Sequence, residues 1–285
     1  QTFLGIFNPE KPNKSVDFSF AFTKLEPFYY QNKLEKDYPD DETIRDFDDK
    51  EVYRSSFHLV KKWSGSDPQN DGLKARLVLN WLESMAKLDK LSPDYVPKIR
   101  EFGIAKKSGC LFVVHDFIEG QNWQNLNLTD DEKLILIQKF IQDIEHLHSL
   151  GFTHGDLKPD NILVTQTNDN WQIHILDILD FSPNEQSQFN TKYSPEFDHP
   201  TEKQRDNFAV MKMACELLGV AWNSTSELYT DIAQVVQQEY SDNELGFISL
   251  ARFNEALNPR PITQMIEIVI GRREPFSVIE IYPEN

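Results

Sequence analysis

Cysteine is nearly absent from this chain. Cys110 and Cys215 sit in apolar stretches and share no metal-ligand spacing. A disulfide framework and a thiolate metal centre are both excluded, and a reducing, intracellular and cytoplasmic setting is expected. Basic residues are short too: 29 Lys and Arg face 46 Asp and Glu, a formal net charge of −17. That argues against non-specific nucleic-acid binding, which needs clustered cations for the phosphates. No apolar run approaches the ~20 residues that span a bilayer, and the first residues lack the basic-then-apolar pattern of a signal peptide. Neither nucleic acid nor membrane is expected as a partner. The chain opens on Gln1 rather than Met, which fits an excised domain or a processed product. Glycine is missing where a phosphate cradle would need it, since Gly5 is the only one before Gly65 and no G-x-G-x-x-G occurs.

What is present is an ordinary globular composition, 39% apolar and 12% aromatic, over 285 residues. This length suits two small domains or one two-lobed domain. The texture changes near residue 120. Before it come short strand-like runs, Ser19 to Leu25, Ser55 to Trp63, Val96 to Phe102 and Leu111 to Ile118. One helix interrupts them, from about Leu73 to Leu91, with Leu77, Trp81, Met85 and Leu88 at helical spacing and Ser92-Pro93 ending it. Glu35 to Glu51 holds nine carboxylates against Lys36, Arg45 and Lys50, the signature of a solvated, inserted loop. After residue 120 the pattern is mainly helical. Thr129 and Glu132 form a capping box at the head of a long helix, whose stripe of Ile137, Phe140, Ile141, Ile144 and Leu147 runs to Gly151, a suitable left-handed terminator.

Directly after that helix stands His154-Gly155-Asp156-Leu157-Lys158-Pro159-Asp160-Asn161, then the apolar run Ile162-Leu163-Val164. This segment resembles the catalytic loop of protein kinases, H-R-D-x-K-P-x-N, with all but its Arg in place. The resemblance implies that Asp156 accepts the proton of a substrate hydroxyl, that Lys158 neutralises charge on the transferring phosphoryl group, and that Asn161 binds magnesium. A second metal ligand is then needed downstream. Alternating apolar residues lead into Asp177 in Ile173 to Leu179, which is preferred over Asp180 in Asp180-Phe181-Ser182. Either choice lacks the glycine of D-F-G, replaced by Leu179 or Ser182, and Ile178 would pack beside His154. Further on, Tyr193-Ser194-Pro195-Glu196 resembles A-P-E, with Glu196 implied to pair with Arg260. Asp206, near the start of a helix over Phe208 to Leu218, resembles the aspartate that holds the catalytic-loop backbone.

Upstream, Phe57 to Trp63 resembles the V-A-I-K strand, with Lys61 as the phosphate-contacting lysine and Lys62 one residue out of register. A strand's period of two allows only one of them into the cleft. By residue type Glu83 is the implied helix partner of Lys61, although the apolar spacing after Ser84 fits that register better. Asp116 and Leu163 are further nucleotide-contacting positions that the resemblance implies. Either Val16 to Pro27 or the stretch Asn8 to Ser15 could cover the phosphates. Gly155 removes the cation that commonly reads a phosphate on the following segment, so phosphorylation there, at Ser187, Thr191 or Tyr193, need not switch activity.

The implied fold is α+β, a bilobal protein-kinase-like fold with a small β-rich N-lobe over residues 1–118 and a mainly helical C-lobe over 119–285. Residues 1–52, including the acidic insertion 35–51, are not placed by the resemblance. The implied function is a Ser/Thr protein kinase using ATP and Mg, in the bacterial H-G-D style, acting in signalling or phage defence on a protein substrate or itself. A regulatory protein partner is the corresponding expectation for the pseudokinase alternative. Small-molecule kinases of the aminoglycoside or choline type, whose loop also carries H-G-D or H-N-D, are the other alternative.

Overall fold

Two sheets and three long helices position the site. The computed structural model describes residues 19–46, 49–66, 68, 71–167, 170–181, 191–195, 200–219 and 250–257. Among them, the first sheet has six strands: β1 (Tyr29–Tyr30), β2 (Glu42–Asp46), β3 (Lys50–Ser55), β4 (His58–Trp63), β5 (Ile99–Ala105) and β6 (Leu111–Asp116), in the order β1-β5-β6-β4-β3-β2. A long helix, α3 (Gly72–Leu91), packs beneath it, after α1 (Ser19–Leu25) and α2 (Leu34–Asp37). The chain crosses at residues 117–120 into a small second sheet of β7 (Gln121–Asn122), β8 (Ile162–Thr167) and β9 (Asn170–Ile175). This sheet lies beside helices α4 (Asp130–Ser149), α5 (Glu202–Leu218) and α6 (Leu250–Leu257). A β-rich N-terminal lobe and a mainly helical C-terminal lobe result, the α+β architecture the resemblance implies.

Several helix signals act as read. Asp71 caps α3 by accepting from Lys74 N at 3.0 Å, and Ser92 closes it in the left-handed region. Thr129 and Glu132 make the reciprocal capping box of α4, and its predicted stripe is fully buried. Gly151 follows with φ +81°. A second capping box, Thr201 with Gln204, starts α5 six residues earlier than the apolar pattern suggests.

Three segments differ from expectation. Ser19 to Leu25 alternates like a strand through Phe20 and Phe22, yet both rings are exposed. The residues it buries are Ala21 and Leu25, one helical turn apart, and α1 packs them against α3. The acidic stretch is no inserted loop. Asp41 N donates to Arg54 O, and Glu42–Asp46 pairs antiparallel with β3 as the sheet's outer strand. Its side chains are all exposed, which is how an edge strand tolerates a run of charge. Ser55 to Trp63 is interrupted by a turn at Ser56 (φ +53°), so β3 and β4 form a hairpin.

Residues 29–38 also acquire a place. Tyr30, Leu34 and Tyr38 cover an apolar cluster on the outer face of the sheet, built on Tyr53, Val60, Phe112 and Val114. β1 reaches its parallel partner β5 by passing tightly over Gly103, where a Cβ would collide with the Phe28 carbonyl oxygen. Gly103→Ala is therefore expected to destabilise the protein by about 1–3 kcal/mol, the scale of local overpacking. Chemical denaturation of the two proteins checks this.

Candidate active site

Strand parity decides between the two lysines. In the β3–β4 register Val52 faces Lys61 and Glu51 faces Lys62. Lys62 lies on the outer face, 2.7 Å from Glu51 and over the Tyr53 ring. Lys61 lies on the inner face, buried, and its ammonium is ion-paired with Asp177. Asp177 follows β9 with φ +60°, a conformation that costs a non-glycine residue and is held here by its surroundings. Asp180 instead meets Lys50. Burial pulls the Lys61 ammonium from its ordinary 10.5 down to about 8; Asp180 opposes the fall, while Lys50 and Arg45 add to it.

The expected catalytic loop is tied down from below by one side chain. Asp206 is completely buried and accepts from His154 N at 2.8 Å, from Gly155 N at 2.7 Å and from His148 Nε2 at 3.0 Å. His154 Nε2 donates to Leu176 O at 2.8 Å, which joins the loop to the strand that delivers Asp177. The residues between then fall into place. Asp156 and Lys158 pair at 2.5 Å. Asn161 Nδ2 donates to Asp156 O at 3.0 Å, and Leu176 N donates to Asn161 O at 2.8 Å. An amide fixed in that sense presents its oxygen, not its nitrogen, to a cation. Asn161 and Asp177 therefore flank one backbone junction.

Gly155 is required by this geometry. Its φ is +78°, and a Cβ there would lie 3.3 Å from Glu202 Cγ and 3.5 Å from Arg205 Nη2. Arg205 Nε donates to the Gly155 carbonyl at 2.9 Å. The missing loop arginine thus reflects a left-handed turn packed under α5.

Above the loop lies a cavity of about 610 Å³. Val52 and Leu59 from the first sheet and Leu163 from the second line it, two apolar walls suited to a planar ring. Asp116 borders it, but its carboxylate is held by Arg100 in two contacts, at 2.5 and 2.7 Å. His115 borders the cavity as well, and burial pushes its imidazole down to about 3, so it is neutral.

Glu83 is not brought to Lys61. It lies on the exposed face of α3, whose buried positions are Ala75, Val78, Leu79, Trp81, Leu82, Met85 and Leu88. The error is one of helical phase: Leu88 borders the cavity, and one turn before it stands Ser84, whose Oγ donates to Asn80 O. Trp81 makes the connection instead. Its Nε1 donates to Leu179 O at 2.6 Å, and its ring packs edge-on with Trp63 and Phe181 at 5.5 and 6.1 Å.

Further along, Tyr193 is a buried anchor rather than an open phosphosite. Its hydroxyl donates to Glu216 at 2.9 Å. Glu196, Arg260, Ser187 and Ser182 lie outside the described residues, as do the stretch Asn8 to Ser15 and Val16 to Phe18. Sequence reasoning missed Lys50, Val52, Leu59 and Trp81: Lys50 and Val52 lie in or beside the acidic stretch, Leu59 shares the strand of Lys61 without a polar group to mark it, and Trp81 reads as a core residue of its helix.

These side chains fit magnesium and a nucleotide. Two oxygen donors, Asn161 and Asp177, stand beside a buried lysine, below an apolar slot. Among the described residues no cluster of three or more His, Cys, Asp or Glu gathers as a metal cage. Magnesium held by one or two protein oxygens and completed by substrate phosphates needs none.

No protein-family model matches the chain. It is 28% identical over 131 residues to the serine/threonine-protein kinase stk11 homolog of Dictyostelium discoideum, covering 37% of this chain and 22% of that protein. To the ovarian-specific serine/threonine-protein kinase Lok of Drosophila melanogaster it is 26% identical over 183 residues, 62% of this chain and 36% of that one. The chain thus matches well under half the length of these two relatives. Among solved structures it resembles the PknI kinase domain of Mycobacterium tuberculosis, with a TM-score of 0.54 at 17% identity over 77% of this chain and 94% of that one. It also resembles Rad53 1-466 in complex with AMP-PNP, with a TM-score of 0.51 at 20% identity over 80% and 62%. The fold is that of the protein kinase superfamily.

Removing the Asp206 carboxylate leaves two backbone N–H groups and His148 without their acceptor. Asp206→Ala is expected to cost about 3–5 kcal/mol, the range for breaking a buried charged network. Urea unfolding measures it, with Asp206→Asn losing less.

Proposed function

We propose that this protein is a Mg- and ATP-dependent Ser/Thr protein kinase that transfers the terminal phosphate of ATP to a protein hydroxyl, its own or another's. The observation that supports the reading is that Lys61, Asn161 and Asp177 border one cleft, with the paired Asp156 and Lys158 on the loop that leads into Asn161. Asp156 is the group to accept the hydroxyl proton, and Lys158, paired with it, is the cation for the phosphoryl oxygens. Lys61 is the cation for the phosphates already bound, and Asn161 and Asp177 would hold magnesium. Bound magnesium would supply neutralisation of phosphate charge; the protein's own contribution is to align the hydroxyl and shield the cleft. Lys158 supports Ser/Thr specificity by resemblance. The H-G-D form of the loop supports a setting in bacterial signalling or phage defence, in the cytoplasm.

A second reading, a pseudokinase that binds partners without transfer, draws support from one observation. The β2–β3 hairpin carries Asp46 and Asp49 where a phosphate-covering loop would be glycine-rich. Incubation with labelled ATP and magnesium separates the two. The kinase reading expects transfer to a generic substrate or to the chain itself, lowered about 10²–10⁴-fold in Asp156→Ala. A folded, ATP-binding protein that transfers nothing sinks it.

Lys61 sets a pH limit. Its folded-state value, about 8, lies below the ordinary 10.5, so in the absence of ligand the folded chain releases this proton first. Between those values the unfolded chain binds more protons, and the Lys61 contribution to stability rises with pH. Phosphate binding requires the ammonium and runs the opposite way. ATP affinity is expected to fall as pH rises through about 8, by at most about tenfold per unit, and to lose this dependence in Lys61→Met. Calorimetric titration at several pH values reads both.

A further inference from the structure

The acidic hairpin leaves a gap in the phosphate grip, and a neighbouring side chain fits it. Lys50, the first residue of β3, pairs across the ladder with Trp63, two positions from the Val52–Lys61 pair. Period two places Lys50 on the same inner face as Lys61. Lys50 borders the same cavity, with its side chain only 19% exposed. Its ammonium lies 2.7 and 2.8 Å from the two oxygens of Asp180 and 5.6 Å from the centroid of the Trp63 ring. Asp180 is the more open partner, at 43% exposure, and stands three residues after Asp177. Two lysines of one sheet face are thus each neutralised by an aspartate of one segment: Lys61 by Asp177 and Lys50 by Asp180.

We propose that Lys50 is a second phosphate-gripping residue, replacing the backbone cradle that a glycine-rich loop would form, and that Asp180 is its resting counter-ion. The inference rests on the nucleotide-dependent reading above and names the ligand class as the polyphosphate chain of a nucleoside di- or triphosphate. The sequence Asp46-Phe47-Asp48-Asp49 carries three carboxylates and no glycine, a composition that suits phosphate poorly. A lysine on a flexible stem reaches instead, exchanging a carboxylate oxygen for a phosphate oxygen while its ammonium stays beside the buried Trp63 ring. Asp180 then competes with the ligand.

That competition separates a grip from a structural clasp. Lys50→Gln and Asp180→Asn break the same ion pair, so a clasp that only holds the cleft in shape predicts the same effect from both. A grip predicts that only Lys50→Gln weakens ATP binding. Calorimetric titration of the whole chain with ATP plus magnesium, and separately with adenosine, is the experiment. Lys50→Gln is expected to weaken ATP binding about tenfold, the scale of a charge-assisted contact, with adenosine unchanged and Lys50→Arg largely restoring ATP binding. Asp180→Asn is expected to bind ATP as tightly as the unaltered chain, or more tightly. Equal ATP affinity in Lys50→Gln and the unaltered protein overturns the proposal, as does parallel weakening in both variants. An unaltered chain that is folded by circular dichroism yet binds no ATP overturns the nucleotide reading itself, a result distinct from tight binding indifferent to Lys50.

Discussion

The buried carboxylate of Asp206 is the constraint on which the site depends. It sits in the first turns of α5 with no solvent contact, and three donors from α4 and the following loop converge on it. Such a charge is tolerated in the interior only when fully hydrogen-bonded. Its position therefore dictates that of the loop, not the reverse. His154 passes the constraint on to Leu176, and so to the segment bearing Asp177. One helix thus sets the relative placement of the proposed proton acceptor and the proposed metal ligands.

The upper half of the site is built differently. No buried anchor fixes it; cross-strand register does. Because Val52, Lys61, Lys50 and Trp63 are successive partners on one sheet face, a single β3–β4 alignment delivers two cations and part of the apolar slot together. A one-residue slip would turn all of them outward and bring Glu51 and Lys62 inward. The outer-face cluster under Tyr30, Leu34 and Tyr38 opposes that slip, since it buries the alternate residues of the same strands.

Legibility in the sequence followed how local each determinant is. The loop from His154 to Asn161 and the capping box of Thr129 are contiguous signals, recognisable from their own residues before any distant partner is known. Lys61 over Lys62 needed only the parity of a strand, but which parity depended on the pairing with β3. Glu83 failed because helical phase is set by what the helix packs against, and the choice between Glu83 and Ser84 rested on Leu88 and the cleft. The acidic hairpin was illegible for a related reason. An outer strand with every side chain exposed carries no apolar alternation, so charge density masked its pairing. In α1 the alternation pointed the wrong way, because the two phenylalanines that produced it are the residues left in solvent.

Trp81 gives the arrangement a property of its own. Where a helix is tied to the cleft by a lysine–carboxylate pair, the tie weakens as counter-ions accumulate and changes when either group titrates. An indole N–H bonded to the Leu179 carbonyl, inside a ring cluster with Trp63 and Phe181, carries no net charge on either side. The helix and the segment after Asp177 are thus joined by a contact indifferent to ionic strength and to neutral-range pH. Sensitivity to those conditions is left to Lys50 and Lys61, whose partners are carboxylates.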